Sequence, residues 1–180
     1  MDRLFAPWRI EWVERDDHGE YDCPFCALPA ADPGEDRENN VVARDDRAVV
    51  ILNSYPYNPG HAMVIPREHG VDYRDLDDET LLGHARLLQR TIDAVETALE
   101  PDAFNVGMNL GGRVAGGSID DHLHTHVVPR WNGDTSFMPI VSDTTVIVEA
   151  VAETYDRLHD AFADQDGVTA LETGAVRVEG

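Results

Sequence analysis

Three histidines stand at alternate positions in His122-Leu123-His124-Thr125-His126, and Val127-Val128-Pro129-Arg130 follows. On an extended strand alternate side chains share a face. The three imidazoles would therefore sit side by side, neighbours about 6–7 Å apart, with Leu123, Thr125 and Val127 turned to the other side. Imidazoles are costly to bury without partners, so something polar must lie over them. A neutral imidazole carries a lone pair near pH 7 and suits attack on phosphorus. Its second nitrogen must then keep a proton and be oriented by an acceptor. In-line displacement places charge on the non-bridging oxygens and requires donors around the phosphate. The stretch Gly111-Gly112-Arg113-Val114-Ala115-Gly116-Gly117-Ser118 can supply them. Its glycines let backbone N–H groups form an anion-binding concavity, Ser118 adds a hydroxyl, and Asn109 adds an amide. The competing readings of the strand are a three-histidine metal site and a structural cluster. A P-loop is excluded, because the glycine stretch lacks the Gly-Lys-Ser/Thr ending and the chain has no lysine.

A second chemical pattern is Cys23-Pro24-Phe25-Cys26, which holds both cysteines of the chain. A pair so close encloses almost no loop, so a disulfide would add little stability. The spacing is that of half a tetrahedral zinc site. A redox pair similar to glutaredoxin active sites is the rival, but it needs a strand before the pair and a helix beginning at it. The polar stretch Asp16–Asp22 does not read as a buried strand. Two free thiols are the third reading.

The surrounding elements must position these groups. Residues 15–40 are polar and read as a loop around the cysteine pair. Val41–Ala43 and Ala48–Asn53, separated by the charged turn Arg44-Asp45-Asp46-Arg47, read as a hairpin. Ser54–Gly60 holds two prolines and a glycine and reads as a turn. Ala62–Ile65 reads as a buried strand. Leu81, Ala85, Leu88, Ile92, Val95 and Leu99 recur at helical spacing, with Asp77 as N-cap and Pro101 past the end. Ala103–Met108 and His122–Val128 read as strands. Ile147, Val151, Tyr155, Leu158 and Phe162 mark a second amphipathic helix, in which His159 is expected at the surface, as His84 is in the first. The fold class expected is α+β, an antiparallel sheet with two main helices against it.

Bulk properties narrow the function. The 180 residues suit one domain with tails, and 42% hydrophobic residues suffice for a core. The 35 acidic residues face 14 basic ones, all arginine, for a net charge of -21. Such a surface repels nucleic acid and anionic membranes, so neither is an expected partner. It also repels itself, and about 1 M salt would screen most of that repulsion; a salt-loving (halophile) source is the expectation. No apolar run approaches the ~20 residues of a membrane span, and Met1–Val13 lacks the apolar stretch of a signal peptide. A cytoplasmic protein is expected.

The stretch Asn105–Arg130, an asparagine, a glycine-rich loop, alternating histidines and Pro-Arg, resembles the signature of the histidine triad (HIT) family. The resemblance extends upstream through Asn53, Pro59-Gly60-His61 and Ile65-Pro66. The opening Phe5-Ala6-Pro7-Trp8-Arg9 and Pro129-Arg130-Trp131 resemble the branch that phosphorolyses diadenosine tetraphosphate. The resemblance implies a HIT domain over residues 21–140, with a segment 1–20 before it and a helix and tail over 141–180. It implies a homodimer or higher homo-oligomer acting on a nucleotide substrate. It implies His124 as the nucleophile of a nucleotidyl-histidine, flanked by His122 and His126. It implies Asn109, Gly117 and Ser118 at the phosphate, Asn53 at the ribose, Ile51 and Met63 at the base, and His61 beside the active face. Zinc-bearing relatives imply a structural zinc on Cys23, Cys26, His69 and His122. Thr125 departs from the family by replacing a usually apolar residue, and the loop between Asn109 and His122 is longer than in short members. The function expected is cleavage at a nucleotide α-phosphate, as a diadenosine tetraphosphate phosphorylase or hydrolase. A nucleoside phosphoramidate hydrolase and a nucleotide-binding or interaction protein with little turnover are the alternatives. Arg113 and Arg130 are candidates for steering an anionic substrate. Trp131 is left between a base stack and a subunit contact.

Overall fold

The computed structural model describes residues 23–70, 72–110, 122–134, 150–171 and 174–179. Within them the chain forms a seven-stranded sheet and three helices. The elements are α1 (Pro24–Ala30), β1 (Val41–Arg44), β2 (Ala48–Leu52), β3 (Ala62–Pro66), α2 (Asp78–Leu99), β4 (Ala103–Met108), β5 (Thr125–Arg130), α3 (Val151–Ala163), β6 (Val168–Thr169) and β7 (Val176–Val178). The strand order is β4-β5-β3-β2-β1-β7-β6. This is the α+β architecture expected, with two differences. The sheet is mixed, because β1 pairs with β7 in parallel. The polar stretch before β1 is not all loop, because Pro24 starts α1 at the first helical position, where a missing N–H costs nothing.

Local chemistry explains the turns. Asp45 closes the β1–β2 hairpin by accepting the N–H groups of Arg47 and Ala48 at 2.7 and 2.6 Å. Asp77 caps α2 by accepting the Thr80 N–H at 2.7 Å. The helix ends at Glu100 in the left-handed conformation, just before Pro101. Gly60 adopts φ +78° in front of β3, and a Cβ there would overlap Leu99 Cδ1.

The sheet divides the core in two. On one face α2 and α3 pack Leu87, Ala94, Val95, Tyr155, Leu158 and Phe162 against Val42, Val50, Val64 and Val127. On the other, Cys23 and Phe25 of the α1 region cover Val41, Val49, Ile51, Met63, Ile65 and Ala175. The buried stripe of α2 differs from the apolar face that helical spacing predicts. It runs through Thr80, His84, Leu87, Thr91, Ala94 and Val95, while Leu88, Ile92 and Leu99 are only partly buried. The helix has rolled toward its polar residues because they find partners: Thr91 Oγ1 donates to the Leu87 carbonyl at 2.7 Å, and His84 meets Thr125. His84 is therefore core, at 2% exposed, not surface. His159 is half-buried and stacks on Tyr155. Among the described residues no helix is long and apolar enough to cross a membrane.

Candidate functional site

The ladder of β5 begins at Thr125, so His122 and His124 precede the regular strand that the alternation predicts. Strand β5 pairs with β3 through Ala62↔Val127, Met63↔His126 and Val64↔Thr125. That register sets His126 beside His61, the residue just before β3. The rings of His124 and His126 lie 4.9 Å apart, and those of His61 and His126 lie 5.1 Å apart. His61, His122 and His124 are buried, and His126 is partly open.

Each ring's proton can be assigned from its partners. His124 Nδ1 stands 2.9 Å from the His122 carbonyl, which only accepts. The proton is therefore on Nδ1, and Nε2 keeps its lone pair. Burial pushes the His124 pKa below the ordinary histidine value, and the bond to His122 opposes it. The ring is neutral at pH 7, as a nucleophile must be. His61 Nδ1 accepts the Tyr57 N–H at 3.2 Å. Its proton is then on Nε2, which donates to His126 Nδ1 at 2.9 Å. His126 consequently carries its proton on Nε2. The two neighbours are thus set to opposite tautomers, a lone pair on His124 Nε2 and a donor on His126 Nε2.

The third histidine faces elsewhere. His122 Nε2 donates to the Pro66 carbonyl at 2.8 Å, which leaves the Nδ1 lone pair toward the thiols. Cys23 Sγ and Cys26 Sγ lie 3.3 and 3.5 Å from that nitrogen, and Cys26 Sγ lies 3.3 Å from His69 Nδ1. The four ligand atoms all fall within 4.8 Å of one another. A tetrahedral ion with bonds of ~2.3 Å to sulfur and ~2.0 Å to nitrogen would hold S and N about 3.5 Å apart. The set therefore fits a closed two-sulfur, two-nitrogen zinc centre. His122 joins this cluster to the site, since its side chain turns to the thiols while its carbonyl orients His124. Phe25, between the two cysteines, packs its edge on His124 at a centroid distance of 5.0 Å.

The remaining candidates are placed as follows. Ile51 and Met63 are buried on the same sheet face as Phe25. Asn53 Oδ1 accepts the Tyr55 N–H at 2.9 Å, and its Nδ2 lies 3.9 Å from Met63 Sδ. The side chain is thereby held at the end of β2 with amide protons to offer. Asn109 follows β4 and is exposed. Gly117, Ser118 and Arg113 lie outside the described residues. Arg130 is not a free steering charge: it donates to both carboxylate oxygens of Asp134, at 2.5 and 2.9 Å, and to Asn105 Oδ1 at 2.7 Å. The Arg130 guanidinium in turn holds the Asp134 carboxyl well below the usual carboxylate range.

Sequence reasoning missed Phe25, the Tyr57 N–H, the Pro66 carbonyl and the His84–Thr125 contact. Backbone partners leave no trace in side-chain types. Thr125, a polar residue in an apolar slot, was the available signal for the last.

Comparison with known proteins places this fold in a family. A family model described as HIT domain matches residues 35–133. The chain is 37% identical over 172 residues to a Mycobacterium tuberculosis protein named AP-4-A phosphorylase, covering 92% of this chain and 86% of that one. A Zn-bound histidine triad family protein from Mycobacterium smegmatis superposes with a TM-score of 0.62 at 31% identity, covering 81% of this chain and 96% of that one. A hypothetical histidine triad nucleotide-binding protein from Sulfolobus tokodaii does so with a TM-score of 0.63 at 28% identity, covering 79% and 93%.

Proposed function

Since this chain belongs to the histidine triad (HIT) family, we propose that it cleaves dinucleoside polyphosphates, diadenosine tetraphosphate first among them, by way of a nucleotidyl-histidine on His124. The observation that carries this is the His124 Nδ1–H bond to the His122 carbonyl, which leaves a neutral, oriented lone pair on Nε2. Nε2 attacks the α-phosphorus, the bond to the bridging oxygen breaks, and the polyphosphate leaves as its anion while His126 Nε2–H donates a hydrogen bond to the departing oxygen. Inorganic phosphate or water then attacks the same phosphorus and restores His124. Phosphate as acceptor gives ADP plus ATP; water gives AMP plus ATP. The relative named AP-4-A phosphorylase favours phosphate.

Asn53 offers its amide to the ribose, and Ile51 and Met63 line the base side. Asn109, Gly117 and Ser118 donate to phosphate oxygens. Zinc on Cys23, Cys26, His69 and His122 would be structural, with all four positions filled by protein, and would anchor α1 to the triad. The working form is a homodimer through β4. That strand ends the sheet and is largely exposed, with Val106 at 45%, and an uncovered edge strand pairs readily with a second copy.

The test is a product analysis in high salt with diadenosine tetraphosphate, with and without inorganic phosphate. ADP plus ATP formed only with phosphate identifies a phosphorylase; AMP plus ATP formed regardless identifies a hydrolase. No products with either acceptor would overturn the substrate assignment and move it to nucleoside phosphoramidates. His124→Ala should abolish turnover and leave AMP binding nearly intact. An unchanged rate refutes the mechanism.

A further inference from the structure

We propose that His84 and Thr125 form a positioning pair that fixes the nucleophile strand from the opposite face of the sheet. The inference rests on His124 being the nucleophile. Thr125 lies between His124 and His126, but its side chain points to the helix layer. Its Oγ1 stands 3.1 Å from His84 Nε2 on α2. The His84 ring also lies close enough to the Val64 backbone for that backbone to favour its protonated form, against the effect of burial. Val64 and Thr125 are partners across the β3–β5 ladder, so the imidazole that bonds Thr125 lies against a single rung.

The position of that rung matters. Thr125 is the first residue of β5, and both its pairings, with Val64 and with Met108, are the last of their ladders. His124 therefore sits one residue beyond the paired strands, where pairing alone would let the backbone fray. The next backbone anchor is Leu123, whose N–H donates to the Gly70 carbonyl at 2.7 Å. Between the two anchors lies the nucleophile. On the rung inside, Met63↔His126 aligns the hydrogen-bond donor to the leaving group. A slip of the Thr125 rung would move His124 relative to His126.

A polar pair in this place is not needed for packing. Both residues are buried, and two apolar residues would fill the space without desolvating an imidazole and a hydroxyl. What the polar pair adds is direction: a hydrogen bond holds one distance and angle, whereas apolar contacts let the strand slide. Burial pushes the His84 pKa below the ordinary histidine value, which keeps Nε2 able to accept from the hydroxyl.

The experiment uses the full chain in high salt. Single-turnover nucleotidylation of His124 by diadenosine tetraphosphate is followed by mass, with thermal unfolding and KM alongside. Three variants are compared: Thr125→Val removes the hydroxyl at constant shape, Thr125→Ser keeps it, and H84L/T125V makes both positions apolar. Thr125→Val should slow nucleotidylation by on the order of 10- to 100-fold with KM nearly unchanged. Thr125→Ser should stay within about threefold of the parent rate, because the bond survives. The double variant should recover the melting temperature but not the rate. The pair is merely structural, and the proposal overturned, if Thr125→Val keeps the parent rate while melting lower, or if the double variant recovers rate and stability together. Absence of nucleotidyl-histidine on the parent chain would instead overturn the nucleophile assignment, and this inference with it.

Discussion

Gly60→Ala should destabilise the chain and damage the site out of proportion to its size. Gly60 has φ +78°, and an added Cβ would overlap Leu99 Cδ1 and stand 3.2 Å from Pro129 Cγ. The left-handed backbone costs an alanine about 1–2 kcal/mol. The Leu99 contact is with the end of a flexible side chain, so moving it off its rotamer adds about 1 kcal/mol. The total of about 2–3 kcal/mol corresponds to a melting temperature lower by about 4–12 °C in a chain of this length. The next residue is His61, whose tautomer depends on the Tyr57 N–H and in turn sets the proton on His126. Turnover per folded molecule should fall by about tenfold or more, since misplacement by an ångström is enough for that. The assay is calorimetry and steady-state turnover in high salt for Gly60→Ala, Leu99→Ala and the double variant. The contact predicts that the two changes fail to add by more than about 0.5 kcal/mol. An unchanged melting temperature, or strict additivity, would refute the reasoning.

Zinc content separates the cluster from the nucleophile: Cys26→Ser should lower bound zinc from one per chain while His124→Ala leaves it at one, as atomic absorption would read, and equal loss in both would sink the ligand assignment. Burial holds the folded His84 pKa below 6.5, so its contribution to stability is present above pH 6.5 and is lost as pH falls through the folded-state value. Melting temperatures taken downward from pH 6.5 should drop less steeply in H84L/T125V than in the parent, and parallel curves would count against the burial argument. Val106→Arg on the exposed edge strand should convert a dimer to monomers in sedimentation, whereas an intact dimer would place the contact elsewhere. With a net charge of -21, the melting temperature should climb between dilute buffer and about 1 M salt, where the Debye length is about 3 Å; a flat response would remove the case for salt adaptation.

Much of the sheet was legible because its inner strands repeat Val, Ile and Ala in short runs between turn residues, and β1 to β5 fall within a few residues of where that pattern places them. The four ligands of the metal cluster were named together only through the family resemblance; spacing alone showed half of them. Three features were hidden for physical reasons. The α2 stripe was misplaced because apolar spacing ignores polar residues that find buried partners, as His84 and Thr91 do. The α1 helix was hidden because its sequence is short and proline-bearing at both Pro24 and Pro29. The last two strands were missed because two- and three-residue runs carry no readable alternation. The parallel pairing of β7 with β1 depends on Asp36, a buried carboxylate that meets the Ala175 N–H at 2.9 Å and Arg44 on its other side.

That late strand bears on how the protein is made. Asp36 and Ala175 are 139 residues apart along the chain, and Ala175 packs in the same cluster as Cys23 and Phe25. At about 5–20 residues per second on the ribosome, the triad is synthesised seconds before Ala175. During that interval the nascent chain carries two thiols over an unsealed apolar patch. Early capture of a metal ion by those thiols would protect the patch from oxidation and from wrong partners until the closing strand arrives.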